Sequence, residues 1–268
     1  MVRSNFHTHT VYCDGTDTPA ALAEAAFALG FAALGFTGHS NTGFDPCGMT
    51  PEGQARYRAE VAALREAYRG RMEIYCGVEQ DYFSGRAEGF DYAIGSVHYV
   101  NRDGAYLPVD WLAERTAEII RVNYGGDANA LAEDYYALVG QLLSVTGCQI
   151  IGHFDLLTKY DEAGEVFSAS DARYRAAALG ALDALCPGDP VFEINTGAMA
   201  RGTRQTPYPA LWLLREMLAR RCRIMINSDC HDKRRLNCSF DDAAALARAA
   251  GFRARTVLRG GEFVEVGL

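Results

Sequence analysis

The sequence predicts an α/β fold built on a parallel sheet. Three observations carry that expectation. Seven short runs rich in β-branched and aromatic residues alternate with seven helix-like segments, the pattern of repeated β-α units. The chain has 268 residues, close to the size of a single α/β barrel of about 250 residues. All six histidines fall at or just past the C-terminal end of a predicted strand, the face on which such barrels carry their chemistry. Alternation alone leaves open whether the sheet closes into a barrel or stays open and doubly wound.

The elements follow in chain order. Arg3–Thr8 reads as the first strand, running into His7-Thr8-His9. Pro19–Leu29 is a helix, with Thr18 as N-cap, Pro19 at the first helical position and Gly30 as the stop. Ala33–Gly38 is the second strand, ending at Thr37-Gly38-His39, and Pro51–Tyr68 the second helix. Met72–Gln80 and Tyr92–His98 are the third and fourth strands, carrying Glu79 and His98 at their ends. Helices are expected over Trp111–Val122 and Ala128–Thr146, with Gly125-Gly126-Asp127 as a helix start rather than a phosphate loop. Gln149–His153, Val191–Asn195 and Arg223–Ser228 complete the strands, the last leading to Asp229-Cys230-His231. Between and after them come helices Ala169–Leu185, Tyr208–Arg220 and Phe240–Ala250, then an extended piece, Thr256–Val266, broken by Gly260-Gly261. With no repeat, low-complexity tract or Pro/Ser-rich linker, the chain reads as one domain over 1–268.

Composition narrows the function. Hydrophobic residues make up 49% and charged residues 22%, ordinary globular values. A chain this long buries enough surface to fold without a disulfide or structural metal, so metal ligands here point to function. The net charge of −8 argues against a partner as long and anionic as nucleic acid. No run of about 18 apolar residues predicts a membrane span. The N-terminal segment lacks a signal-peptide core and the eight cysteines include no CxxC pair. The expectation is a cytoplasmic protein with reduced thiols.

On a strand the two imidazoles of His7 and His9 face the same way, which permits a chelate without requiring one. Six of six histidines on one face is a stronger pattern. In a barrel they would converge with Glu79, Asp229 and Asp14. That is too many groups for one ion, and enough for two or three sites with positions open to water. Neutral imidazole suits zinc, manganese and iron, and carboxylates can bridge two ions. Clustered divalent ions of this kind activate water and clamp phosphoryl oxygens, so the residues point to metal-assisted hydrolysis. Cys13 and Cys230 flank proposed ligands and are left out of the set. Trp111 and the Tyr135-Tyr136 pair read as packing residues rather than substrate contacts.

The order His7-Thr8-His9-Thr10, Cys13-Asp14-Gly15, Gly38-His39-Ser40, Glu79, Gly95-Ser96-Val97-His98, Gly152-His153 and Asp229-Cys230-His231 resembles the PHP (polymerase and histidinol phosphatase) superfamily over almost the whole chain. Amidohydrolases also begin with HxH on a barrel strand, but continue with a metal-bridging lysine. No lysine precedes Lys159 here. Within the superfamily, Gly77–Tyr82, Gly95–Tyr99, Ile151–Tyr160 and Glu193-Ile194-Asn195-Thr196-Gly197 followed by Arg201 resemble the histidinol-phosphate phosphatase subgroup. The resemblance implies a distorted (β/α)7 barrel and hydrolysis of L-histidinol phosphate to L-histidinol and phosphate.

It also implies a ligand distribution. His7, His9, Glu79 and Asp229 hold one ion. Glu79 bridges to a second, bound also by His98 and His153. Asp14, His39 and His231 hold a third, with Asp17 near enough in sequence to compete with Asp14. A hydroxide bridging the ions attacks phosphorus, which makes Glu79 and Asp229 the catalytic carboxylates. Arg201 and Arg204, after the sixth strand, and Lys159, after the fifth, are placed to bind the substrate phosphate. A nucleotide or another small phosphate ester is the alternative substrate. The oligomeric state stays open.

Overall fold

The computed structural model describes residues 3–268. Met1 and Val2, which open the segment read above as lacking a leader core, lie outside the described residues. In chain order the elements are β1 (Arg3–Asn5), α1 (Pro19–Ala28), β2 (Phe31–Phe36), α2 (Pro51–Ala67), β3 (Glu73–Asp81), β4 (Tyr92–Ser96), β5 (Tyr99–Arg102), β6 (Ala105–Pro108), α3 (Ala113–Asn123), α4 (Ala128–Val139), α5 (Leu142–Thr146), β7 (Ile150–Ile151), α6 (Ala172–Leu185), β8 (Val191–Asn195), α7 (Gly197–Ala200), α8 (Leu211–Ala219), β9 (Arg223–Asn227), α9 (Phe240–Ala250), β10 (Ala254–Arg259) and β11 (Glu262–Gly267).

Seven strands run parallel in the order β1-β2-β3-β4-β7-β8-β9. The two outer strands meet at their C-terminal ends, where the His9 N–H donates to the Cys230 carbonyl at 2.9 Å and the Cys230 N–H to the His7 carbonyl at 3.3 Å. Below that point side chains stand in for the ladder. The Phe6 N–H donates to Asn227 Oδ1 at 2.9 Å, and the Ser228 N–H to Asn5 Oδ1 at 3.2 Å. The result is the nearly closed, distorted seven-stranded barrel that the family resemblance implies.

The lower barrel is filled by Phe6, Tyr92, Ile94, Ile150, Val191 and Met225. Val257 and Leu258, from the antiparallel β10–β11 hairpin, join the same cluster. Tyr92 occupies space left by two glycines. A Cβ on Gly35 or Gly77 would lie 2.1 or 2.5 Å from the Tyr92 side chain, and the Tyr92 hydroxyl donates to the Phe6 carbonyl at 2.6 Å. With the lower half packed in this way, the histidines sit at the C-terminal rim.

Several boundaries differ from expectation for local reasons. The helix expected over 128–146 breaks at Gly140-Gln141 into α4 and α5, at the poorest helix former in the stretch. The helix expected from Tyr208 begins only at Leu211. Tyr208 instead exchanges backbone hydrogen bonds of 2.9 and 3.0 Å with Asn195, ahead of Pro209. The β5–β6 hairpin was not anticipated. Its turn, Asp103-Gly104, has φ of 53° and 84°, the positive values a two-residue hairpin turn requires and Asp-Gly supplies. Thr18 and Asp127 cap α1 and α4 through hydrogen bonds to Ala21 N and Ala130 N.

Candidate metal centre

Strand register gathers the histidines. His39 pairs with Glu79 across β2 and β3, and Thr8 with Cys230 across the barrel seam. Three overlapping groups result: His9, Asp14, His39 and His231; His7, His9 and Glu79; and His39, Glu79 and His98. Within each group the ligand atoms lie within 4.8 Å of one another.

Glu79 sits at the centre, with its two oxygens facing opposite halves of the cluster. Oε2 faces His7 Nε2 at 3.3 Å, His9 Nε2 at 3.4 Å and His39 Nδ1 at 2.9 Å. Oε1 faces His153 Nε2 at 2.9 Å and His98 Nε2 at 3.3 Å, and accepts a 2.7 Å hydrogen bond from Ser96 Oγ. Asp229 Oδ1 lies 3.1 Å from His9 Nε2 and 3.7 Å from His7 Nε2. On the third side Asp14 reaches His231 Nε2 at 3.2 Å, His9 Nδ1 at 3.5 Å and His39 Nε2 at 3.6 Å. Asp17 turns away: it accepts the Lys233 N–H at 2.9 Å and pairs with the Lys233 ammonium at 3.4 Å.

The donor set fits divalent cations. His7 Nε2, His9 Nε2 and Glu79 Oε2 are buried and have no hydrogen-bond partner, yet all three converge. Leaving three such atoms unsatisfied is costly, whereas imidazole nitrogens and a carboxylate oxygen directed at one point are ordinary zinc, manganese or iron ligands. The electrostatics agree. Burial pushes the Glu79 carboxyl upward, but His7, His39, His98 and His153 more than offset it and hold it well below the usual range. Asp229 is likewise held low, against burial, by His7, Arg201, His9 and His231. Burial and the neighbouring His231 and His39 press His9 down to about 3, so it is neutral and available as a ligand. Its ring stacks on His231 with centroids 4.0 Å apart.

A second set of carboxylates, to which the sequence reading gave no role, orients these ligands. His7 Nδ1–H donates to Glu193 Oε1 at 2.7 Å, leaving Nε2 for the cluster, and the other Glu193 oxygen accepts the His153 N–H at 2.9 Å. Asp81 Oδ2 lies 3.1 Å from His98 Nδ1. The signal for Glu193 was present: an acidic residue inside the apolar run Val191–Asn195 has to meet a buried partner. Asp229 has φ of 47°, a left-handed conformation that costs about 1 kcal/mol or more outside glycine and clusters at functional sites. Gly197 leaves room beside it, since a Cβ there would lie 2.8 Å from Asp229 Oδ2 and 2.9 Å from Arg201 Nη2.

The cluster forms the floor of a cavity of about 390 Å³. Arg201 lines it, with Nη2 3.2 Å from Asp229 Oδ2 and Nη1 3.3 Å from His231 Nδ1. Lys159 lines it too, its ammonium paired with Asp110 at 2.9 Å. Arg204 does not. It is buried beneath the rim, donating to the Thr158 carbonyl at 2.7 Å, to Thr158 Oγ1 at 3.0 Å and to the Thr206 carbonyl at 3.2 Å, with its guanidinium over the Tyr208 ring. Its donors face inward, toward structure. Tyr135 and Tyr136 are buried as expected, but Trp111 is a correction. It precedes α3, is 67% exposed and lines the cavity. Among the described residues no helix is long and apolar enough to cross a membrane.

The chain is similar in sequence and fold to known proteins. The chain is 31% identical over 263 residues to a probable histidinol-phosphatase of Deinococcus radiodurans, covering 93% of this chain and 94% of the relative. It is 25% identical over 257 residues to the histidinol-phosphatase of Bacillus subtilis, covering 86% and 94%. The fold is similar to a solved structure of histidinol phosphate phosphatase from Lactococcus lactis, with a TM-score of 0.69, 19% identity and coverage of 98% and 99% of the two chains. The PHP domain family model matches residues 5–197, and this chain belongs to the PHP domain family.

Proposed function

We propose that the protein is a metal-dependent phosphomonoesterase that hydrolyses L-histidinol phosphate to L-histidinol and phosphate. The observation that carries the chemistry is Glu79, whose two oxygens face separate imidazole groups on the floor of a cavity walled by Arg201 and Lys159. The substrate is supported by the relatives. The Deinococcus and Bacillus proteins carry the histidinol-phosphatase name, and the Lactococcus enzyme was solved with zinc, L-histidinol and phosphate.

The residues divide the work. His7, His9, Glu79 and Asp229 would hold one ion; Glu79, His98 and His153 a second; Asp14, His39 and His231 a third. Zinc, manganese or iron bound there supplies Lewis-acid stabilisation of phosphoryl oxygens and an activated water. Arg201 presents a planar fork suited to phosphate oxygens, held in place by Asp229. Lys159, fixed by Asp110, adds a second cation in the same cavity. Asp229 stays ionised between His9 and Arg201, so it accepts hydrogen bonds and holds both groups. Glu193 and Asp81 fix which nitrogen His7 and His98 turn toward the cluster. A cytoplasmic setting and a one-domain organisation over 1–268 belong to this proposal.

The test is phosphate release from L-histidinol phosphate beside a panel of nucleotide and sugar monophosphates, with metal content measured on the same sample. The expected kcat/KM for L-histidinol phosphate is at least about a hundredfold above the panel, roughly 2.7 kcal/mol of discrimination. Comparable low rates on every ester, with metal fully loaded, would move the substrate elsewhere.

A further inference from the structure

The cavity above the metal centre carries more negative charge than the cluster uses. Asp14, Glu79 and Asp229 belong to the cluster, but Asp45 and Asp110 also line the cavity. Asp110 is answered by the Lys159 ammonium at 2.9 Å. Asp45 is not answered by a cation. It lies in the loop between β2 and α2, where its Oδ1 accepts the Cys47 N–H at 2.9 Å and its own N–H donates to Thr42 Oγ1 at 3.0 Å. No lysine, arginine or histidine nitrogen among the described residues comes within ion-pair distance of it.

A phosphate monoester enters as an anion, and an uncompensated carboxylate in the cavity repels it. Such a group favours binding only if the ester carries a positive charge away from its phosphate. The same cavity offers an aromatic wall. Trp111 is 67% exposed, yet its backbone is fixed: the Tyr160 hydroxyl donates to the Trp111 carbonyl at 2.6 Å, and Lys159 Nζ to the Asp110 carbonyl at 2.8 Å. An exposed indole carried on a hydrogen-bonded backbone beside the cavity is suited to a flat ring on the ligand.

We propose that Asp45 is a specificity-determining residue whose carboxylate pairs with a primary ammonium on the alcohol portion of the substrate, so that the enzyme selects phosphate esters of amino alcohols. The assignment rests on the histidinol phosphate reading above, and extends it from one compound to the feature by which it is chosen. The phosphate lies at the metal floor with Arg201 and Lys159. The ammonium lies at Asp45 and the ring against Trp111.

The test compares two matched ester pairs: L-histidinol phosphate with its deamino analogue, and O-phosphoethanolamine with ethyl phosphate. The readout is the ratio of kcat/KM values within each pair, from which a general loss of activity cancels. The wild-type enzyme is expected to prefer the amine-bearing ester at least about tenfold. Asp45→Asn, which keeps an oxygen for the Cys47 N–H, is expected to abolish most of that preference, lowering it about tenfold, mostly through KM. Asp45→Glu is expected to retain most of it. A wild-type enzyme without amine preference, or an Asp45→Asn ratio within about twofold of wild type, overturns the proposal. The two readings fail separately. Amine preference on the small esters without turnover of L-histidinol phosphate removes that substrate and keeps Asp45. Turnover of L-histidinol phosphate without amine preference does the reverse.

Discussion

His7 and Glu193 stand 186 positions apart in the chain, and their side chains meet at 2.7 Å in the fully buried floor of the site. Because the His7 Nδ1–H donates to Glu193, the free nitrogen is Nε2, and it points at Glu79 and Asp229. Glu193 Oε1 also accepts from Asn227 Nδ2 at 3.0 Å, and its second oxygen holds the backbone of His153. One carboxylate therefore positions ligands from two different strands.

Glu193→Gln is expected to weaken metal binding about 10- to 100-fold, the usual loss when the partner of a ligating histidine is changed. Competition with a calibrated chelator measures it. Unchanged affinity would mean that His7 is oriented by packing alone.

Glu79→Gln is expected to reduce turnover to near background and to lower metal content, because one carboxylate serves both halves of the cluster. Elemental analysis beside kcat checks both effects. A near-normal kcat at full metal content would sink the bridging role.

Arg201→Ala is expected to raise KM for the phosphate ester about tenfold or more, with metal content close to wild type. Arg204→Ala is expected to act differently. It removes a buried side chain that donates to Thr158 and Thr206, so it lowers thermal stability by about 2–4 kcal/mol with KM little changed. If Arg204→Ala shifted KM and left Tm alone, the two arginines would have the opposite roles.

Metal loading is expected to release protons. In the protein without ions, burial works against the charged forms of His7, His39 and His98, but neighbouring carboxylates outweigh it: Glu193, Glu79 and Asp229 for His7, Glu79 and Asp14 for His39, Glu79 and Asp81 for His98. His98 is pushed up to about 10. His98 is then protonated at pH 7, His7 and His39 are shifted in the same direction, and ligation requires the neutral form. Affinity for metal should rise as pH climbs from about 7 toward 10 and fall in acid. The sign for the stability of the metal-free protein is opposite. An imidazole raised by folding contributes stability that is complete below its ordinary value near 6.5, and the His98 contribution is lost as pH rises toward 10. Calorimetric titration in buffers of different ionisation enthalpy counts the protons, and no release on loading would contradict these protonation states.

The sequence by itself determined the barrel strands, the rim on which the chemistry sits and the identities of the clustered groups. Period and strand-end position are local properties, and six histidines placed at strand ends have one common destination once the sheet closes. Only the tertiary structure decided which oxygen of Glu79 faces which imidazoles, that Asp14 rather than Asp17 enters the cluster, and that Arg204 turns inward while Arg201 turns to the cavity. It also decided that Trp111, read as packing, stands exposed at the mouth, and that Glu193 and Asp81 serve the histidines. Those outcomes depend on strand register and on loops from distant parts of the chain meeting at one rim, and neither is written in the spacing of residues along any single segment.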